Sequence, residues 1–174
     1  SIRVTGEAAA SGEHSLKFAD AAGLTHVFDP HMFYVPHFTR GRATLSFDAR
    51  LEQGAILAHE WRDAAQPYRV GPSLVIDAAG KLTSNGRPLA DVPLERWFHV
   101  EITCLLGTQA DGVWDLTLTV PGEPPRPFLA LPSGAPQFST VVTKWNLRPT
   151  FTDRTFASTP PAGARKIDFL PPGR

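Results

Sequence analysis

At 174 residues the chain has the length of one domain. Seventeen Lys and Arg balance seventeen Asp and Glu, so no long-range field exists to gather phosphate backbones or anionic lipid, and a general nucleic-acid binder is excluded. With 42% hydrophobic and only 20% charged residues, the composition also excludes a disordered tail.

Seventeen Pro and fourteen Gly, beside a single Met and a single Cys, point to short strands joined by turns rather than to helices. Cys104 has no partner for a disulfide, and within its apolar run it reads as a buried thiol. No stretch reaches the roughly 18 apolar residues of a membrane span. The opening Ser1-Ile2 carries no signal-peptide pattern and fits a mature form or an excised module.

In chain order, residues 2–5 and 14–20 alternate as two short strands around a small polar loop, with Leu16 and Phe18 on one face. From Ala21 to Phe38 the period is lost, and aromatic, histidine and proline residues crowd an irregular loop at about 21–40. After the Arg40-Gly41 turn, Ala43, Leu45, Phe47 and Ala49 fall two apart, with Arg42, Thr44, Ser46, Asp48 and Arg50 opposite. That is the pattern of a half-buried antiparallel strand. Residues 55–63 read as a strand with Glu60 and Arg62 on one face and His59, Trp61 and Asp63 on the other.

Residues 73–77 and 81–83 flank a turn at Gly80, and Asn85-Gly86 predicts a hairpin because both turn positions need positive φ. Residues 97–104 predict a central strand with Phe98, Val100, Ile102 and Cys104 inward. Residues 113–120 predict a second, with Trp114, Leu116, Leu118 and Val120 inward. Trp97 and Trp114 are both expected in the core, while Trp145 stands near a loop end. Beyond Pro121 only residues 127–131, 141–145 and a closing strand at 166–170 recover an extended pattern, and the segment from about 146 is loosely patterned. Strands at this spacing predict an all-β, two-sheet antiparallel β-sandwich of the jelly-roll sort, one domain over 1–174.

The stretch from Gly71 through Leu74, Gly80, Leu82, Asn85-Gly86 and Leu89, continuing into Trp97-Phe98-His99-Val100-Glu101-Ile102, resembles the laminin-G-like members of the concanavalin A-like lectin/glucanase superfamily. They often read G-x-L-x-x-x-G-x-x-L, a short gap, then W-x-x-V-x-I. The likeness covers about a quarter of the chain and implies two curved sheets, the concave one often carrying a glycan site. By family habit it also implies a structural calcium ion, for which Glu7, Asp20 and Asp168 are the candidates; no other cofactor is expected. The paired glutamates of the family's glucanases, E-x-D-x-E, have no counterpart here.

Two clusters carry candidate chemistry. In the first, Glu60 and Arg62 on one strand face can each take sugar hydroxyls, and Tyr68 can stack; the alternative is an exposed ion pair. In the second, the loop carries Phe28, Phe33, Tyr34 and Phe38 among His26, His31 and His37. His31, Tyr34 and His37 are candidate sugar contacts, and the phenylalanines are expected to form a satellite core. His31, His37 and His59 with Glu60 also compose a transition-metal shell by residue type, though without a ligand-spacing motif. No nucleophile elbow, P-loop or dinucleotide fingerprint occurs.

The expected function is non-catalytic binding of an oligo- or polysaccharide by a secreted or periplasmic lectin-like module of a bacterial polysaccharide-processing protein. No nucleic-acid or membrane partner is expected. Two alternatives stand. One is a glycoside hydrolase or polysaccharide lyase with Glu60 as acid/base, Asp63 or Asp77 as second carboxylate, and His31 or Tyr34 assisting. The other is a structural or protein-interaction sandwich.

Overall fold

Strands form where the sequence alternates, and their ends fall at glycine, proline and aspartate turns. A computed structural model describes residues 1–26 and 28–134, which lie within one unit, Ser1–Gln137. Its strands are β1 (Ile2–Thr5), β2 (Ser15–Phe18), β3 (Gly41–Arg50), β4 (Leu57–Arg62), β5 (Val70–Ile76), β6 (Lys81–Ser84), β7 (Arg87–Asp91), β8 (Trp97–Leu106), β9 (Val113–Thr119) and β10 (Arg126–Pro132). Among the described residues the helical content is a single 3-10 turn at Gly107–Gln109. The expected segments at 141–145 and 166–170, with Trp145 and Asp168, lie outside the described residues.

All pairing is antiparallel. β1 and β2 form a two-stranded sheet, β10-β9-β8-β3 a long sheet, and β4-β5-β6-β7 a meander sheet. Leu74, Ile76 and Leu82 of the meander sheet share one hydrophobic cluster with Val100, Ile102, Leu116 and Leu118 of the long sheet, with Trp114 at 1% exposure beside them. Two antiparallel sheets closing on one core are the arrangement of a β-sandwich. Cys104 is buried there as expected. Desolvation, helped by Asp111, pushes its thiol pKa up, so it sits in the core as an unreactive hydrophobe.

The Asn85-Gly86 turn forms as its chemistry requires, with both residues at positive φ between β6 and β7. Asn85 also donates its side-chain amide to the Pro132 carbonyl at 2.9 Å, and the Trp114 indole N–H donates to the same oxygen at 3.2 Å. The end of the long sheet is thereby fastened to the hairpin of the other sheet.

One packing expectation is corrected. Trp97 pairs with Arg50 at the start of β8, on the face opposite Phe98, so it is half-buried on the outer surface while Trp114 alone of the pair is core. In β2 the more covered residues are Ser15 and Lys17, held by the Ala8 carbonyl and by Glu7. Leu16 and Phe18 share one face, as the alternation predicts, and it is the outward one, cross-strand from Val4 and Ile2. Local side-chain bonds to the 6–14 loop decide which face is covered.

Gly80 has φ +80°, and a Cβ there would stand 2.5 Å from the Val92 carbonyl oxygen. The Val92 N–H in turn donates to the Gly80 carbonyl. Gly112 has a similar φ but open space around it. Gly112→Ala is therefore expected to cost about 1–2 kcal/mol, the price of the left-handed backbone, whereas Gly80→Ala adds a backbone clash and costs about 3 kcal/mol or more. Urea unfolding of the two variants checks the ordering; equal losses would refute it.

Candidate functional site

β4 places its residues as the alternation requires, with Glu60 and Arg62 outward and His59 and Trp61 half-buried between the sheets. Arg62 pairs with Glu60 and lays its guanidinium 4.3 Å from the centre of the Tyr68 ring. The three residues do converge, but Arg62 covers one face of Tyr68 and engages Glu60, so much of their binding capacity is used within the cluster.

Asp63 organises the loop that follows. Its carboxylate accepts the backbone N–H groups of Ala65 at 3.1 Å and Arg69 at 2.8 Å and pairs with the Arg69 guanidinium. The Arg69 N–H, then its guanidinium, hold the Asp63 pKa below the usual carboxylate range. Asp77 accepts the N–H groups of Ala79 and Lys81, each at 2.9 Å, in the turn before β6. Both candidate second carboxylates thus serve as turn acceptors for backbone amides.

His59 faces Phe47 of the opposite sheet, ring centres 5.5 Å apart, and its Nε2 accepts the Trp61 indole N–H at 2.9 Å. Only a ring unprotonated at Nε2 can accept that bond. Burial holds its pKa below the ordinary histidine value, with the Glu60 carboxylate pulling the other way. A depressed folded-state pKa means that the unfolded chain binds the proton more readily. Stability is therefore complete above the ordinary histidine value of about 6.5 and declines as pH falls toward the folded-state pKa. Denaturant titrations at about pH 7.5 and 5.5 should show this loss in the parent chain and a smaller one in His59→Gln, which retains a carbonyl acceptor for Trp61. An equal loss in both would remove His59 as the cause.

Among the described residues the histidines and carboxylates proposed for metals do not come together. His59 points between the sheets, His31 is held by Asp29 at 2.9 Å, and His37 is exposed at φ 56°. Glu7 is occupied by Arg3 and Lys17, and Asp20 accepts the Ala21 N–H. With Asp168 outside the described residues, no group of three His, Cys, Asp or Glu suited to a metal occurs among the described residues. Among the described residues, Glu7 and Asp20 do not by themselves compose the calcium site that the resemblance implies.

The aromatic loop is not a satellite core. Residues 31–40 are all exposed, as are Phe28 (60%), Phe33 (78%), Tyr34 (67%) and Phe38 (67%). His26 stacks on Phe28 at 4.9 Å, Phe28 meets His31 edge-on at 5.0 Å, and His31 stacks over Phe33 at 6.1 Å. The rings pack along the segment rather than into the sandwich.

A polar surface not singled out from the sequence lies on the outer face of the long sheet. The registers of β3, β8 and β9 align Asp48, His99 and Thr119 in one row, Ser46, Glu101 and Thr117 in the next, and Thr44, Thr103 and Asp115 in a third. Asp48 and His99 are 2.9 Å apart, and the Thr44 and Thr103 hydroxyls 3.0 Å. Two shallow depressions bracket the rows. One, of about 200 Å³, is lined by Asp48, Trp97, His99 and Thr119; the other, of about 170 Å³, by Arg42, Thr103, Asp111 and Asp115. The polar residues opposite Ala43, Leu45, Phe47 and Ala49 were the available sequence signal. Their alignment with β8 and β9 depends on register, which single-strand periodicity does not carry.

A family model described as "Predicted periplasmic protein (DUF2092)" matches residues 129–170, about a quarter of the chain. Its description agrees with a secreted or periplasmic location. No curated protein and no solved structure gives a significant match.

Proposed function

We propose that the sandwich is a non-catalytic carbohydrate-binding module of concanavalin A-like, jelly-roll topology, and that an oligo- or polysaccharide lies across the outer face of the long sheet. The observation that carries this reading is the three-row polar face between two shallow depressions. Hydroxyls, carboxylates and an imidazole spaced about 7 Å apart along each strand match a ligand that displays hydroxyl donors and acceptors at regular intervals. Each depression is smaller than the roughly 300–1,000 Å³ of an enclosing small-molecule pocket, which favours an extended ligand contacting many residues. Half-buried Trp97 supplies an apolar surface for sugar C–H groups beside that face.

Affinity electrophoresis against a polysaccharide panel tests the site. His99→Ala and Glu101→Ala are each expected to weaken retention by about tenfold, the scale of a charge-assisted hydrogen bond, and Trp97→Ala by at least as much. Arg62→Ala and Tyr34→Ala should leave it intact. Retention lost in Arg62→Ala but preserved in the long-sheet variants would move the site to the meander sheet. Release of reducing ends, abolished by Glu60→Gln, would replace binding with hydrolysis.

A further inference from the structure

Most of the exposed large apolar side chains among the described residues precede Gly41, and they concentrate in the aromatic loop. Over 28–38, Phe28, Met32, Phe33, Tyr34, Val35 and Phe38 are each about 60% exposed or more. Such a run is far beyond the scattered apolar residues of an ordinary surface and marks a contact site. Among the described residues the segment joins no strand ladder, so it offers neither a regular edge for strand addition nor a walled groove. The stacked and edge-on contacts among the His26, Phe28, His31 and Phe33 rings and the fixed φ of Pro30 and Pro36 stiffen it into a ridge.

The charges flanking this ridge indicate what it meets. From Pro30 to Thr39 there is no Asp, Glu, Lys or Arg. The acid at its start, Asp29, is engaged by His31 and by the His26 N–H. Exposed Arg40 stands at its end. An uncharged aromatic wedge with polar ring tips and a cationic flank is complementary to a bilayer interface, where aromatic rings settle at headgroup depth and guanidinium groups meet anionic headgroups. A lipid surface also needs no shape match, which suits an irregular contour. We infer that residues 28–40 form an interfacial wedge that docks the protein on an anionic membrane surface, independently of any glycan bound on the long sheet. Chain-wide neutrality and the lack of a spanning run do not bear on so local a contact.

Co-sedimentation of the full chain with vesicles of phosphatidylcholine and phosphatidylglycerol at about 3:1 tests the inference. Binding is expected there and several-fold less with phosphatidylcholine alone. Phe33→Ser combined with Phe38→Ser should weaken it by at least about tenfold, and Arg40→Glu by about fivefold, with circular dichroism confirming that the strands persist. Brominated lipid should quench Phe33→Trp beyond the parent chain's own tryptophans, which reports the ridge itself entering the interface. Absence of vesicle binding, undiminished binding by the double serine variant, or no added quenching overturns the inference. So does a fluorescence change in Phe33→Trp produced by an oligosaccharide or a soluble protein but not by vesicles.

Discussion

The pairing of β3 with β8 is the constraint on which the rest of the sandwich depends. It runs in unbroken register from Gly41 opposite Leu106 to Arg50 opposite Trp97, although the whole meander sheet intervenes in sequence. Closing so long a loop is entropically unfavourable until the strands meet. The return comes from both strands at once: Ala43, Leu45, Phe47 and Ala49 align with Cys104, Ile102, Val100 and Phe98, all on the covered side. A slip of one residue would turn Val100 and Ile102 to solvent and carry His99 and Glu101 inward. Apolar burial thereby fixes the polar rows on the other side, so the candidate ligand surface is a by-product of the core.

Charged groups divide according to what they hold. Asp63, Asp77 and Glu7 are spent on backbone amides and neighbouring cations, where they keep loops in shape. Asp48, His99 and Glu101 stand on the unbroken β3–β8 ladder, the setting in which polar groups can be presented at fixed spacing. The sequence features that look most like chemistry, a run such as His59-Glu60-Trp61-Arg62-Asp63, turn out to be divided between a hydrogen bond within β4, an ion pair and a loop clamp.

Much of the architecture was legible in the residues. β3, β8 and β9 announce themselves by alternation, and Asn85-Gly86 by its φ requirement, because both signals are local. Glu60, Arg62 and Tyr68 converge for the same reason, being close in sequence. The rows of the long sheet were not legible as one surface, since they join residues some fifty positions apart, as Asp48 and His99 are. Exposure of Phe33 and Phe38 was missed on different grounds. Apolar content argues for burial, but a segment interrupted by Pro30 and Pro36 lacks the alternation that would lay its rings against a sheet.

The Pro132 carbonyl has a mechanical meaning. It receives both the Asn85 amide and the Trp114 indole at the last residue of β10. Tension applied through the chain beyond this point meets those two side-chain bonds before it can peel the edge strand. One drags on a tight turn and the other on the largest ring of the interior, so the strain is shared by both layers of the protein rather than unzipping one of them.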